Sequence, residues 1–160
     1  GVVPRFNNKP FVMGLTGVGD VALLLDRAGR VVEAQRVADS LSRAIPEELV
    51  LDGPDQRPGL RRVLAAALAV LGDPECSHEP LQAALAEVAD LGVFPAGGLR
   101  DNFAAIYLAA GDTLRALDEL EWCLNEFPAY CSPAVIEMDP WWDPIRDYPR
   151  FQALLRPPGG

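Results

Sequence analysis

A chain of 160 residues that is 49% hydrophobic is long enough to bury one packed core. Its 23 acidic residues outnumber 14 basic ones for a net charge of -9, and Lys9 is the only lysine, so the surface repels phosphate backbones and excludes nucleic acid as an expected partner. The longest apolar run, Val63–Leu71, is far shorter than the roughly 20 residues of a membrane span, so no membrane partner is expected either.

The first residues, GVVPRFNNKPF, hold no basic n-region, no signal-like apolar stretch and no initiator Met. The chain reads as a single domain over 1–160 and as a fragment of a larger protein. GLTGVGD, Gly14–Asp20, has the glycines of a phosphate loop but lacks the Gly-Lys-Ser/Thr ending and follows no predicted strand, so close helix packing explains it better.

From there on Ala and Leu dominate, apolar residues recur at three- and four-residue spacing, and strand signals are scarce. Three helical runs each end in a Gly and restart: VALLLDRAGRVVEAQRVADSL turns at Gly29, VLAAALAVLGDPECSHEPLQAALAEV at Gly72, and FAAIYLAAGDTLRALDELEWCL at Gly111. Gly ends a helix in the left-handed conformation and lets the chain reverse, so each block is an expected antiparallel hairpin. Aligned on the Gly, seven residues before it stand Ala22, Ala65 and Ala104; eight before, Val21, Leu64 and Phe103; four before, Leu25, Leu68 and Tyr107. Five after come Ala34 and Ala116, and Pro46 and Pro128 close the outer two blocks. Pro/Gly-rich stretches at Pro46–Gly59 and Phe94–Gly98 separate the blocks, which span about 11–46, 58–92 and 98–128. Small residues at the crossing and large ones between blocks predict stacked helix pairs.

The middle block departs from this pattern. Its turn, GDPECSHEP, reads as several residues longer, with no Ala five after Gly72, and its second helix is expected from about Glu79 to Leu91. Ser77 or His78 would cap that helix, with Glu79 and Pro80 in its first turn. Cys76 and His78 form the sole Cys/His cluster, too few ligands for zinc but enough for one nucleophile–base pair. Three cysteines, Cys76, Cys123 and Cys131, without a C-x-x-C pair fit buried thiols in a reducing, cytoplasmic setting. In DELEWCLNEF, Leu117, Leu120 and Leu124 form one stripe, with Glu119, Glu121 and Glu126 expected on a solvated face and Trp122 either partly in the core or an exposed anchor.

After Pro128, Ser132 is placed to cap a short helix starting at Pro133. Asp139, Asp143 and Asp147 lack the alternation, central Gly and terminal Glu of a calcium loop, and the first two precede Pro as caps do. Residues 130–156 form the expected capping segment. Trp141 or Trp142, with Ile145 and Phe151, should be buried against the second helix of the third hairpin.

The pattern Val21, Ala22, Leu25, Gly29, Ala34, Ala38, Leu41, Pro46, repeated as Phe103, Ala104, Tyr107, Gly111, Ala116, Leu120, Cys123, Pro128, resembles the tetratricopeptide repeat. The resemblance covers most of residues 11–156 and implies an all-α, right-handed superhelix of antiparallel hairpins, an α-α solenoid with a C-terminal cap. The tail is similar to the closing segment of many bacterial tetratricopeptide proteins, through Asp139, Pro140, Asp143, Pro144, Arg146, Pro149, Arg150, Phe151, Leu154 and Leu155. It departs at Tyr148, where an acidic residue usually stands, which leaves Asp147 as the expected cap. Chains that end this way often follow a kinase, an adenylate cyclase or the DNA-binding part of a transcriptional activator.

By the family pattern the inner, concave face includes Asp20, Leu23, Asp26 and Arg27 in the first block, Arg62, Ala66 and Ala69 in the second, and Asp101, Asn102 and Ala105 in the third. Arg62 and Asn102 suit a peptide backbone or carboxylate. The two-lysine, two-asparagine clamp of chaperone-binding members is absent. The expected function is a scaffold or sensing module of a bacterial regulatory protein that holds a protein or peptide partner, with no catalytic residue, cofactor or metal. The alternatives are a self-associating structural module and, less favoured, a small hydrolase using Cys76 and His78.

Overall fold

Three glycines hold the left-handed backbone that the hairpins require, Gly29 at φ 74°, Gly72 at 85° and Gly111 at 84°. Each closes the preceding helix with the same pair of bonds. Gly29 N–H donates to Asp26 O and Arg30 N–H to Leu25 O; Gly72 and Asp73 donate to Ala69 O and Leu68 O; Gly111 and Asp112 donate to Leu108 O and Tyr107 O. In the second and third turns the residue after the Gly also starts the next helix. Asp73 Oδ1 accepts from Cys76 N–H at 2.9 Å and Asp112 Oδ1 from Arg115 N–H at 3.1 Å. Arg30 takes that place in the first turn and pairs with Glu33 instead.

The computed structural model describes residues 19–51, 57–89, 100, 102–129 and 131–156. Its helices are α1 (19–27), α2 (Val31–Leu51), α3 (Arg57–Val70), α4 (Pro74–Val88), α5 (Phe103–Ala109), α6 (Thr113–Glu126), α7 (Pro133–Met138) and α8 (Pro149–Leu155), with a 3-10 helix at Pro140–Ile145 before the last. No strand occurs among the described residues. The segments 11–18, 52–56 and 90–99 of the expected hairpins and linkers lie outside them.

Consecutive helices pack on one another: α2 on α3, α3 on α4, both of these on α5, α5 on α6, and α8 on α6 and α7. The crossings are built from small residues. Ala22 and Ala34, Ala65 and Ser77, and Ala104 and Ala116 sit seven before and five after their glycines, and all six are buried. Ser77, 0% exposed, therefore fills the place that the outer blocks give to Ala. Its hydroxyl donates to Pro74 O at 2.9 Å, which satisfies a polar group taken from water. At Gly19, a Cβ would lie 3.0 Å from Val63 Cγ1, so the glycine permits close approach of α1 to α3, as packing rather than phosphate binding requires.

The expectations for the middle turn, Pro46, Glu119 and the cysteines are corrected. The middle turn is no longer than the others: α4 begins at Pro74 behind Asp73, so neither Ser77 nor His78 is the cap, and Pro80 lies inside the helix. The first hairpin does not close at Pro46, which α2 carries within its span to Leu51. Glu119 is not on a solvated face: it is 7% exposed and pairs with Arg100 at 2.7 Å, while the Arg100 guanidinium lies 4.0 Å from the centroid of the half-buried Trp122 ring. Of the three cysteines only Cys123 is buried; Cys76 is exposed and Cys131 half-buried.

The tail covers the third hairpin. Trp142, Ile145 and Phe151 are buried in one cluster with Leu117 and Leu120 of α6 and Ile136 of α7. Ser132 caps α7 through Val135 N–H at 3.3 Å, and Asp139 caps the 3-10 helix through Trp141 N–H at 2.8 Å. Pro144 does not restart a helix but lies within that 3-10 span. Asp147 does not cap α8; Tyr148 holds that position without a side-chain bond. Arg146 fastens the segment instead, donating to Glu137 O at 2.6 Å and Asp139 O at 3.2 Å, and its own carbonyl accepts from Gln152 at 2.6 Å.

Replacing Ser77 tests the crossing. Ser77→Leu should lower stability in urea denaturation by about 1–3 kcal/mol through overpacking. Ser77→Ala should stay within about 1 kcal/mol of the parent, the worth of one hydrogen bond. A Ser77→Leu chain as stable as the parent would show that the helices do not cross closely there.

Candidate functional site

The register set by the turn glycines also sets which residues of each first helix face inward. Six, three and two residues before Gly29 stand Leu23, Asp26 and Arg27; at the same offsets from Gly111 stand Ala105, Leu108 and Ala109. All six line one cleft of about 310 Å³ between α1 and α5. The middle helix has Ala66, Ala69 and Val70 at these offsets, all buried. With only methyl groups at the first two, α3 leaves room for its neighbours to share the space. The third wall comes from the tail: Trp141, Asp143 and Pro144.

Of the ten residues expected on the inner face, Leu23, Asp26, Arg27 and Ala105 line this cleft. Asp20 and Arg62 do not. They lie farther from the turn and bond each other at 3.0 Å across α1 and α3, which leaves Arg62 buried and engaged rather than offered to a peptide. Ala66 is 0% exposed and presents no surface. Asn102 occupies the N-cap position of α5 without a side-chain cap bond and is not part of the cleft wall. Asp101 lies outside the described residues. Leu108 and Ala109 were missed although the offsets of Asp26 and Arg27, carried to Gly111, point to them. Trp141, Asp143 and Pro144 carry no such local signal, because they reach the cleft from a separate segment.

The charges in the cleft differ in their partners. Arg27 donates through Nη1 to Trp141 O, and its guanidinium lies 5.3 Å from the Trp141 ring centroid, a cation–π contact that ties the first helix to the tail. Asp143 Oδ1 accepts from Arg146 Nη2 at 2.7 Å and Nε at 3.1 Å. The half-buried Asp26 side chain pairs with none of the described residues, and burial holds its carboxyl above the ordinary 3.8.

No hydrogen bond joins the side chains of Cys76 and His78. A bond from Cys76 to Asp73, together with the Asp73 charge, pushes the thiol pKa up, the reverse of what a nucleophile needs. His78 Nδ1 is 2.7 Å from the hydroxyl of Tyr107, whose own pKa burial pushes up. Cys123 is raised too, by its bond to Cys131 and by burial. Among the described residues no group of three or more His, Cys, Asp or Glu is placed to hold a metal ion, and no helix is long and apolar enough to cross a membrane.

No protein-family model, curated protein or solved structure matches the chain.

An acid whose pKa is raised by folding binds its proton more tightly in the native state, so stability falls as pH rises from 3.8 through the native value of Asp26. Asp26→Asn abolishes that loss. The difference in Tm, variant minus parent, should be near zero on the acid side and become positive toward neutral pH. An Asn variant less stable than the parent at neutral pH would mean that the carboxylate has a stabilising partner after all.

Proposed function

We propose that the chain is a protein-interaction module of the tetratricopeptide kind, a right-handed superhelix that seats a segment of a partner protein in the cleft between α1 and α5. The observation that carries this reading is the shared register: the same three offsets in the first and third hairpins converge on one cleft, and the tail supplies an aromatic wall. The volume is at the lower end of ligand pockets, roughly 300–1,000 Å³, which suits an anchoring side chain or two of a longer segment. The module would serve a larger bacterial regulatory protein in the cytoplasm as scaffold or sensor, an assignment supported by the resemblance of repeats and tail alone. The raised Cys76 thiol and the engagement of His78 by Tyr107 count against the hydrolase alternative.

Selection of displayed random peptides on the full chain tests the reading. Selected peptides should lose binding to Ala109→Trp, which fills the cleft from a half-buried position of α5, provided the variant keeps the parent's Tm. Peptides that bind this variant as well as the parent would place the interaction elsewhere.

Self-association is the second reading, favoured by Val21, Leu24, Val31 and Val32 of the first hairpin, which are exposed, Val32 to 62%. Light scattering across a concentration series should then show mass rising with concentration, and Val32→Arg should abolish the rise. A concentration-independent monomer rules it out.

A further inference from the structure

We propose that the occupant of the cleft is a basic–apolar segment, one that sets an arginine or lysine against Asp26 and an adjoining apolar side chain against Leu23, Leu108 and Trp141. The inference rests on the cleft reading above and specifies its partner.

Three charged residues line the cleft, and two are committed. Arg27 is held by the carbonyl and the ring of Trp141, and Asp143 by Arg146. Of these three, Asp26 alone has no partner among the described residues, although it shares the wall with the apolar side chains of Leu23, Ala105, Leu108, Ala109 and Trp141. Two other inward charges are met within the fold: Arg62 by Asp20, and Glu119 by Arg100. A carboxylate in a partly desolvated, apolar wall gains most from a cation that brings its own hydrogen-bond donors, and a guanidinium offers them in the matching planar geometry. The upward displacement of the Asp26 pKa by burial agrees with an unmet charge.

The opposite occupant fits poorly. A carboxylate-bearing segment would have to win Arg27 away from Trp141, opening the link between α1 and the tail, while standing beside Asp26 and Asp143. The whole chain, at net charge -9, also repels an acidic segment and draws a basic one in.

Three short fluorescent peptides of one apolar sequence, differing only in Arg, Gln or Glu beside a Leu, distinguish the outcomes by anisotropy on the full chain. The Arg peptide should bind about tenfold more tightly than the Gln peptide, with the Glu peptide weakest and the spread narrowing as salt is added. Asp26→Asn should bring the Arg peptide down to the Gln level without lowering Tm, Asp26→Glu should keep the preference, and Ala109→Trp should weaken all three peptides. If the Gln or Glu peptide binds as tightly as the Arg peptide and still fails on Ala109→Trp, the cleft is used but its occupant is not basic. If binding of any peptide survives Ala109→Trp, or none binds, the proposal falls, and in the first case the cleft reading falls with it.

Discussion

Close approach of paired helices at small, buried side chains is the constraint from which the other features follow. Ala22 and Ala34, Ala65 and Ser77, and Ala104 and Ala116 are all buried, and each pair stands at the same offsets from a glycine in the left-handed conformation. The glycine is needed because any other residue at that φ is strained, and the paired bonds from it and its successor satisfy carbonyls that the helix end would orphan. Once turn and crossing are fixed, the rotation of each helix is fixed too. Large residues such as Phe103, Ile106, Leu60 and Leu81 then fall between the helices and build the core that spans the hairpins.

The cleft follows from that rotation together with one difference among the repeats. Inward offsets hold Leu23, Asp26 and Arg27 in the first helix and Ala105, Leu108 and Ala109 in the third, but only Ala66, Ala69 and Val70 in the middle one. Where the middle helix carries methyl groups, its neighbours face a common space. The tail closes that space because burying Trp142, Ile145 and Phe151 over Leu117 and Leu120 leaves the adjacent Trp141 turned toward Arg27. One segment thus covers the apolar end of the third hairpin and walls the cleft, so the two roles cannot be separated by mutation of the tail as a whole.

Much of this was legible in local sequence. Helical periodicity, the three glycines, the alanines around them and the Ser132 cap all depend on neighbours a few residues away, and the apolar pattern of the tail marked Ile145 and Phe151 for burial over α6. The misreadings share a physical cause, which is that a local signal had a tertiary competitor. Serine favours a cap position, yet packing uses Ser77 as a small residue and Asp73, followed by Pro74, is the better start. Pro46 signals a helix end, but α2 carries it inside its span. Glu119 fits a charged outer stripe until Arg100 is brought above it. The contact of Arg27 with Trp141 joins residues 114 positions apart, and no periodicity reaches that far.

The contrast among the acidic residues is what makes Asp26 informative. Asp73, Asp112 and Asp139 hold backbone amides at helix starts, Asp20 answers the buried Arg62 and Glu119 the half-buried Arg100, and Asp118 with Glu121 receives Arg150. Each of these carboxylates accounts for itself through a bond within the chain, and its removal would be read as lost stability. Asp26 makes no such bond with the described residues, and its burial works against the ionised form. A charge held at a disadvantage in the wall of an apolar cleft, next to an arginine whose own charge is already met, is explained by what enters the cleft rather than by what surrounds it.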